Sequence, residues 1–371
     1  MITKEKKNWQ QIASVWVLAA LIYLTFYLIS GKNLACGSVN KEKKNLLRLV
    51  DNFAQKKIAV WGDFILDQYI FGNTRRISRE APVLILDYKK KEFSLGGAGN
   101  SALNLKALGA DPYPIGVVGS DDSGQKIIQI LKKKGVSTEY LIKEKKYKTP
   151  IKTRILAGEE TARKQQVLRI DREGKVPDSN ELNQKIQKNL KDVQRKISAL
   201  LISDYNYFTV KEDLFNKMLP TFKKRNIPVT LDSRFRLLNF KGVTVSTPNE
   251  PEVEGALQIE ISDDNQLLTQ AGRLLLRKTQ SSALLITRGS KGMVLFEQKK
   301  TPFSISICGT TNIVDVTGAG DTVISVFTLA LACGSTFREA ALLANYAGDI
   351  VVMKKGTATL SAQELKENII S

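Results

Sequence analysis

From residue 45 onward, short apolar runs alternate with stretches that carry apolar residues at helical spacing. Ile58 to Trp61, Tyr113 to Val118, Ala199 to Ile202, Val229 to Leu231, Val243 to Ser246 and Ala283 to Thr287 are runs of strand length. Leu46 to Gln55, Ser101 to Leu108 and Gly124 to Lys133 read as helices. Near-continuous apolar strands are those covered on both faces. The pattern therefore predicts a central, mostly parallel sheet between two helical layers, an α/β fold of three layers. Thr322 to Ala332 is apolar throughout and predicts a buried helix ending near Gly334. Residues 68–93 and 149–168 break the alternation, being strand-like but rich in polar side chains. They read as strand-like segments outside the alternating sheet, and the second also fits a plain surface hairpin.

The N-terminus has a different pattern. No charge occurs from Asn8 to Gly31, and Ile12 to Ile29 is mostly apolar and aromatic. About 20 apolar residues span a bilayer, so residues 9–31 are a candidate inner-membrane anchor within an extension covering 1–44. Trp9, Trp16, Tyr23 and Tyr27 are candidate interface residues. Lys32, Lys41, Lys43, Lys44 and Arg48 outnumber Lys4, Lys6 and Lys7, which places the following domain, 45–371, in the cytoplasm. The competing reading is a mis-called start codon.

Composition narrows the chemistry. The 371 residues contain no histidine, which excludes histidine triads, histidine-metal sites and histidine bases. Any base must be a carboxylate or similar group, and any metal oxygen-ligated, which favours magnesium. Cys36, Cys308 and Cys333 are too widely spaced for a metal site or a disulfide framework. The net charge of +19 is spread along the chain without a nucleic-acid-binding signature, so no nucleic-acid partner is expected. Lys89-Lys90-Lys91 and Lys132-Lys133-Lys134 read as solvated faces.

Three motifs carry candidate chemistry. Asp315-Val316-Thr317-Gly318-Ala319-Gly320-Asp321 places small residues and a carboxylate at the start of the apolar helix. Amides of Gly318, Ala319 and Gly320 would open a helix N-terminus, which attracts anions through unpaired donors and the dipole. Asp321 beside it could take a proton from an attacking hydroxyl. An anion hole next to a base suits phosphoryl transfer to an alcohol. A plain helix start with an acidic first turn would look the same. Gly96-Gly97-Ala98-Gly99-Asn100 permits close backbone approach, and Asn100 offers a donor and an acceptor to a polyol. Asp63 and Asp67 follow the first strand, where carboxylates can hold sugar hydroxyls or simply serve a turn. Asp204, Asp232 and Asn249 each follow a strand and would crowd the same sheet edge.

In this order, with Asn249-Glu250-Pro251-Glu252 between the glycine motifs, the chain resembles the ribokinase-like (PfkB) carbohydrate kinases. The segments Gly72 to Val83, Lys164 to Asp171, Ser203-Asp204-Tyr205 and Thr247-Pro248-Asn249 resemble in particular the D-glycero-β-D-manno-heptose 7-phosphate kinases. These form the kinase domain of the bifunctional ADP-heptose synthesis protein. The resemblance runs from about residue 45 to the end. Arg76, Arg79, Gly99 and Ser233-Arg234 depart from that pattern, in which Ser, Pro, Ala and Pro-Lys are usual.

The resemblance implies a ribokinase-like fold whose segments 68–93 and 149–168 form a lid, a homodimer through that lid, and ATP with magnesium as cofactors, with a monovalent cation as a further candidate. It implies phosphorylation of O1 of heptose 7-phosphate in lipopolysaccharide precursor synthesis, with Asp321 as base and Gly318, Ala319 and Gly320 as the anion hole. Asp63, Asp67, Gly97 and Asn100 would hold the sugar. Arg75, Arg76, Lys164 and Arg169 are candidates for its distal phosphate. Asn249 and Glu252 would organise magnesium through water, while Thr287, Gly289, Gly292 and Asn345 would line the nucleotide side. No nucleotidyltransferase signature is present, so a separate nucleotidyltransferase partner is expected. The alternatives are another sugar or nucleoside kinase of this superfamily, and a non-catalytic membrane-tethered sugar-nucleotide sensor.

Overall fold

The computed structural model describes residues 41–159, 164–262, 264–307 and 313–371. The candidate anchor 9–31, Cys36 and Cys308 lie outside the described residues. Among the described residues no helix is long and apolar enough to cross a membrane.

Helix α1 covers residues 41–51. The chain divides into two compact units after Arg48, and the second, from Leu49 to Ile369, contains both sheets. In chain order it comprises β1 (Lys57–Gly62), the hairpin β2 (Phe64–Ile77) and β3 (Leu84–Gly97), α2 (Ala98–Ala107), β4 (Asp111–Gly119), α3 (Asp122–Lys133) and β5 (Leu141–Glu144). A second hairpin follows, β6 (Ile151–Gly158) and β7 (Gln165–Arg172), then α4 (Asn180–Val193), β8 (Ala199–Asp204), α5 (Glu212–Lys224), β9 (Val229–Ser233) and β10 (Val245–Ser246). The rest is α6 (Glu250–Leu257), α7 (Asn265–Thr279), β11 (Ala283–Thr287), β12 (Met293–Glu297), β13 (Phe303–Ile305), α8 (Ala319–Ala332), α9 (Phe337–Val352) and α10 (Ala362–Ile370).

The main sheet has the order β13-β12-β11-β10-β9-β8-β1-β4-β5. It is parallel except at the β11-β12-β13 edge, which is antiparallel. The sequence reading missed that edge because β12 and β13 are short and follow a turn rather than a crossover helix. Strand alternation divides the core between the two faces. Ala59 and Trp61 of β1 join an apolar cluster with Ile186 of α4, Phe215 of α5 and Leu275 of α7. Ile58 and Val60, equally buried, point to the opposite face, where α2, α8 and α9 pack. Helix α8 is buried on every side from Asp321 to Ala330, which explains its lack of a polar stripe.

The smaller sheet has the order β3-β2-β6-β7. β2 leaves directly from β1 across Asp63, and β3 returns through Gly97 into α2. Residues 68–93 and 149–168 therefore fall mainly within these four strands, of which β2 begins before residue 68 and β3 and β7 run on beyond residues 93 and 168. Register puts Asp67 opposite Ser94 and Lys152, and Tyr69 opposite Glu92 and Arg154. Lys152 in turn faces Asp171, and Arg154 faces Arg169. With side chains alternating, Asp67, Tyr69, Lys152, Arg154 and Arg169 share one face.

Candidate active site

Strand order reverses between β1 and β8: one run of neighbours proceeds through β4 to β5, the other through β9 to β11. The crevice at the carboxyl ends of such a pair is where open α/β sheets bind ligands. Asp63, the first residue after β1, is fully buried there. Its Oδ2 accepts the amides of Tyr205 at 2.8 Å and Tyr207 at 3.0 Å, and its Oδ1 accepts that of Thr209 at 3.1 Å. Burial, then the Asp204 carboxylate, raise it to about 6. The oxygens of Asp63, a residue expected to hold sugar hydroxyls, are thus directed at the loop after β8, which they fix in place.

That loop carries Tyr205 to Asp321. The phenol donates to Asp321 Oδ1 at 3.2 Å, and Asn100 Nδ2 donates to Oδ2 at 2.9 Å. Asp321 lies in the first turn of α8 and is 3 % exposed. Burial drives its carboxyl up to about 7, against the lowering effect of those two hydrogen bonds. Gly318 caps α8 at φ 79°, and a Cβ there would lie 2.5 Å from Asn100 Nδ2. Glycine alone permits both the turn and the approach. Of the three amides expected to open this terminus, that of Ala319 is turned back to the Val316 carbonyl at 3.2 Å. Gly318 and Gly320 remain as the open donors of the turn among the described residues.

Asp67 is buried and paired with Arg154, whose guanidinium lies over the Tyr69 ring at 5.4 Å. Gly97 lies against the Tyr205 ring, 3.2 Å from where its Cβ would be. Asn100 thus meets Asp321 directly, Gly97 lies by the Tyr205 ring that reaches Asp321, and Asp67 lies by Gly96 at the root of the smaller sheet.

On the far side of the α8 terminus, Thr287, Gly289, Gly292 and Asn345 line one slot of about 160 Å³ with Ala319, Gly320 and Val323. Asn345 is itself buried and donates to the Ser306 carbonyl at 3.0 Å. The sequence-predicted nucleotide residues therefore converge, except for Asn249 and Glu252, which do not line the slot. Those two form a reciprocal cap on α6: Asn249 Oδ1 accepts the Glu252 amide at 2.8 Å, and Glu252 Oε2 accepts the Asn249 amide at 2.9 Å. Glu252 Oε1 accepts no hydrogen bond among the described residues. Burial raises the Glu252 carboxyl. Burial, Glu252, Asp321 and Asp204 together raise Asp232 well above the carboxylate range. A group of three or more metal-ligating side chains is absent among the described residues.

The expected phosphate residues do not converge. Arg75 and Arg76 are exposed on the outer end of β2. Lys164 donates to Asn73 and to the carbonyls of Gly158 and Glu159. Arg169 is bound twice to Asp171. Sequence reasoning missed Tyr205, Lys152 and Arg154 as site residues. Tyr205 had a usable signal, an aromatic directly after a strand that ends at the switch point.

A switch-point sheet edge, a glycine-opened helix terminus and a buried carboxylate are parts suited to phosphoryl transfer on an α/β fold. The pfkB family carbohydrate kinase model matches residues 55–364, and the chain belongs to that family. It is therefore a carbohydrate kinase, transferring a phosphoryl group to a sugar alcohol. It is 38 % identical over 325 residues, 87 % of its length, to the bifunctional protein HldE of Geobacter metallireducens. The identity to that of Haemophilus influenzae is 36 % over 319 residues, 85 % of the chain. The matched region spans 65 % and 64 % of those relatives. Among solved structures, an Arabidopsis thaliana ribokinase complexed with ribose and ATP superposes with TM-score 0.65 at 20 % identity, covering 85 % of this chain and 99 % of that one. Phosphofructokinase-2 of Escherichia coli, in complex with potassium, gives 0.69 at 17 %, covering 85 % and 98 %. The fold is ribokinase-like.

The Asp63 hub yields a direct prediction. Asp63→Asn keeps the volume but turns an amide NH₂ toward backbone donors, so it should cost about 1–3 kcal/mol. A urea midpoint equal to that of the parent would refute the hub.

Proposed function

We propose that this kinase transfers the γ-phosphoryl group of ATP to O1 of D-glycero-D-manno-heptose 7-phosphate, giving the 1,7-bisphosphate, with Asp321 as the general base. The observation that carries the mechanism is the Asp321 carboxylate, held by Asn100 and Tyr205 at the glycine-opened terminus of α8. A buried carboxyl near 7 is basic enough to accept a proton yet substantially ionised at neutral pH. Asp321 takes the acceptor proton as its oxygen attacks. The Gly318 and Gly320 amides hold the charge on the migrating group. The slot between Thr287 and Val323 takes the nucleotide, and the smaller sheet keeps water from competing as acceptor.

Glu252, whose Oε1 accepts no hydrogen bond among the described residues, and Asn249 beside it would hold a hydrated magnesium through water, and the ion would supply charge neutralisation at the phosphates. The heptose assignment is supported by the segments named above and by the identity to the HldE proteins. In this reading the bisphosphate passes to a nucleotidyltransferase. Exposed Ile77, Leu84, Tyr88, Leu168 and Ile170 on the smaller sheet support a homodimer through it.

Asp321→Asn should retain ATP binding and lose roughly 10²–10⁴-fold in turnover. Parental turnover would remove the base assignment. Because the base works ionised, kcat/KM of the parent should fall as pH drops through about 7. Tyr205→Phe deletes a donor that favours the ionised form, so its acid limb should move to higher pH; an unshifted limb would contradict the geometry. In a panel of heptose 7-phosphate, ribose, fructose and adenosine, the first should give the highest kcat/KM. A preference for any other member would favour a different kinase of the family, and no turnover with any phosphorylated sugar would favour the sensor. Sedimentation should find a dimer that Ile170→Glu dissociates; a monomeric parent would exclude the lid interface.

A further inference from the structure

Two lysines are buried to 8 % exposure in the described chain, Lys152 and Lys211. Lys211 is paired with Asp178. Lys152, near the start of β6, has no hydrogen-bond or ion-pair partner among the described residues. A buried ammonium left unpaired is expensive, and proteins almost always give it an anion. Burial, then the neighbouring Arg234, push Lys152 below the ordinary lysine value. An anion in reach of its Nζ would offset both.

The surroundings say where such an anion would sit. Lys152 lines a pocket of about 390 Å³ with Arg169, Glu173, Lys175, Tyr205 and Arg234. Its Nζ lies over the Tyr205 ring at 5.0 Å, and the Arg234 guanidinium lies 6.0 Å from that ring's centroid. Arg234 also has no carboxylate partner among the described residues. Arg169 is already satisfied by Asp171, and Lys175 and Glu173 contribute one charge of each sign. Lys152 and Arg234 therefore bring to one pocket two cations without a direct carboxylate contact among the described residues, the Asp67 and Asp171 carboxylates acting on Lys152 only at longer range, and such a pair matches a phosphate monoester dianion better than a carboxylate.

The opposite end of Tyr205 is the phenol on Asp321. One aromatic ring thus separates the proposed base from the two unpaired cations. No residue of this pocket lines the slot assigned to the nucleotide. The ligand that can span the ring is the acceptor, with its reacting hydroxyl at Asp321 and an anionic group at its other end.

We propose that Lys152 and Arg234, arranged around Tyr205, form the subsite that selects acceptors carrying a terminal phosphate monoester. The exposed arginines of the β2 hairpin take no part in it. The inference rests on the reading of Asp321 as the base and adds the residues that set specificity.

The test compares the full chain with K152M and R234A, using a sugar phosphate and the same sugar without its phosphate. For each variant KM for the phosphorylated acceptor should rise roughly ten- to a hundredfold, as expected for loss of a charge-assisted contact. The rise should be much larger than any change in kcat, and R234K should recover part of it. An unchanged acceptor KM in both variants, or a rise confined to ATP, would overturn the subsite. Failure of the parent chain to phosphorylate any sugar would count against the base assignment instead. The subsite is then read by calorimetry with inorganic phosphate. Binding to the parent that K152M abolishes would uphold it, and binding indifferent to both substitutions would overturn it. If K152M does not fold, R234A and R234K carry the same comparison.

Discussion

The site depends on holding one carboxylate in a place hostile to charge. Asp321 is buried in an apolar helix, and among the described residues two side-chain donors, with the more distant Lys152 charge, offset that burial. Asn100 comes from the helix after the first hairpin, and Tyr205 from the loop after β8. Each is held by something else: Asn100 faces the glycine that opens α8, and Tyr205 hangs from a loop pinned by Asp63. Three distant parts of the chain must be assembled before this carboxylate is both shielded and steered. Transfer chemistry at such a site is largely a matter of arranging dipoles in advance.

Much of the fold was legible because it rests on local patterning. The apolar runs gave the parallel strands, and the evenly apolar stretch after Gly320 gave the buried helix. Asn100 and Asp321 were both found from glycine-rich motifs, since glycines mark close approach. What could not be read is what depends on register and on loop amides. Nothing in the order of residues announces that Asp63 accepts three backbone donors of 205–209. Nothing in it announces that Ala319 turns its amide inward. Lys152 and Arg154 meet Asp67 and Tyr69 only because β6 lies beside β2 in one particular register. Basic residues chosen by their place in a motif, such as Arg75 and Arg76, were on the exposed end of a strand instead.

The two sheets divide the work. The large sheet supplies Asp63, the Tyr205 loop and, through α8, the proposed base Asp321 and the glycine amides. The smaller one supplies Lys152, Arg154, Asp67 and Arg169 on a single face. Buried ion pairs such as Asp67 with Arg154 add little net stability. Their value here is a fixed pattern of charge above the crevice.

The three amides on Asp63 have a last consequence. They weld the tip of the first strand to the turn beyond its neighbour, so these two pieces of backbone form one rigid datum. The placement of Tyr205 beside Asp321 is therefore set when the chain folds, and a ligand arriving later has only to fit it.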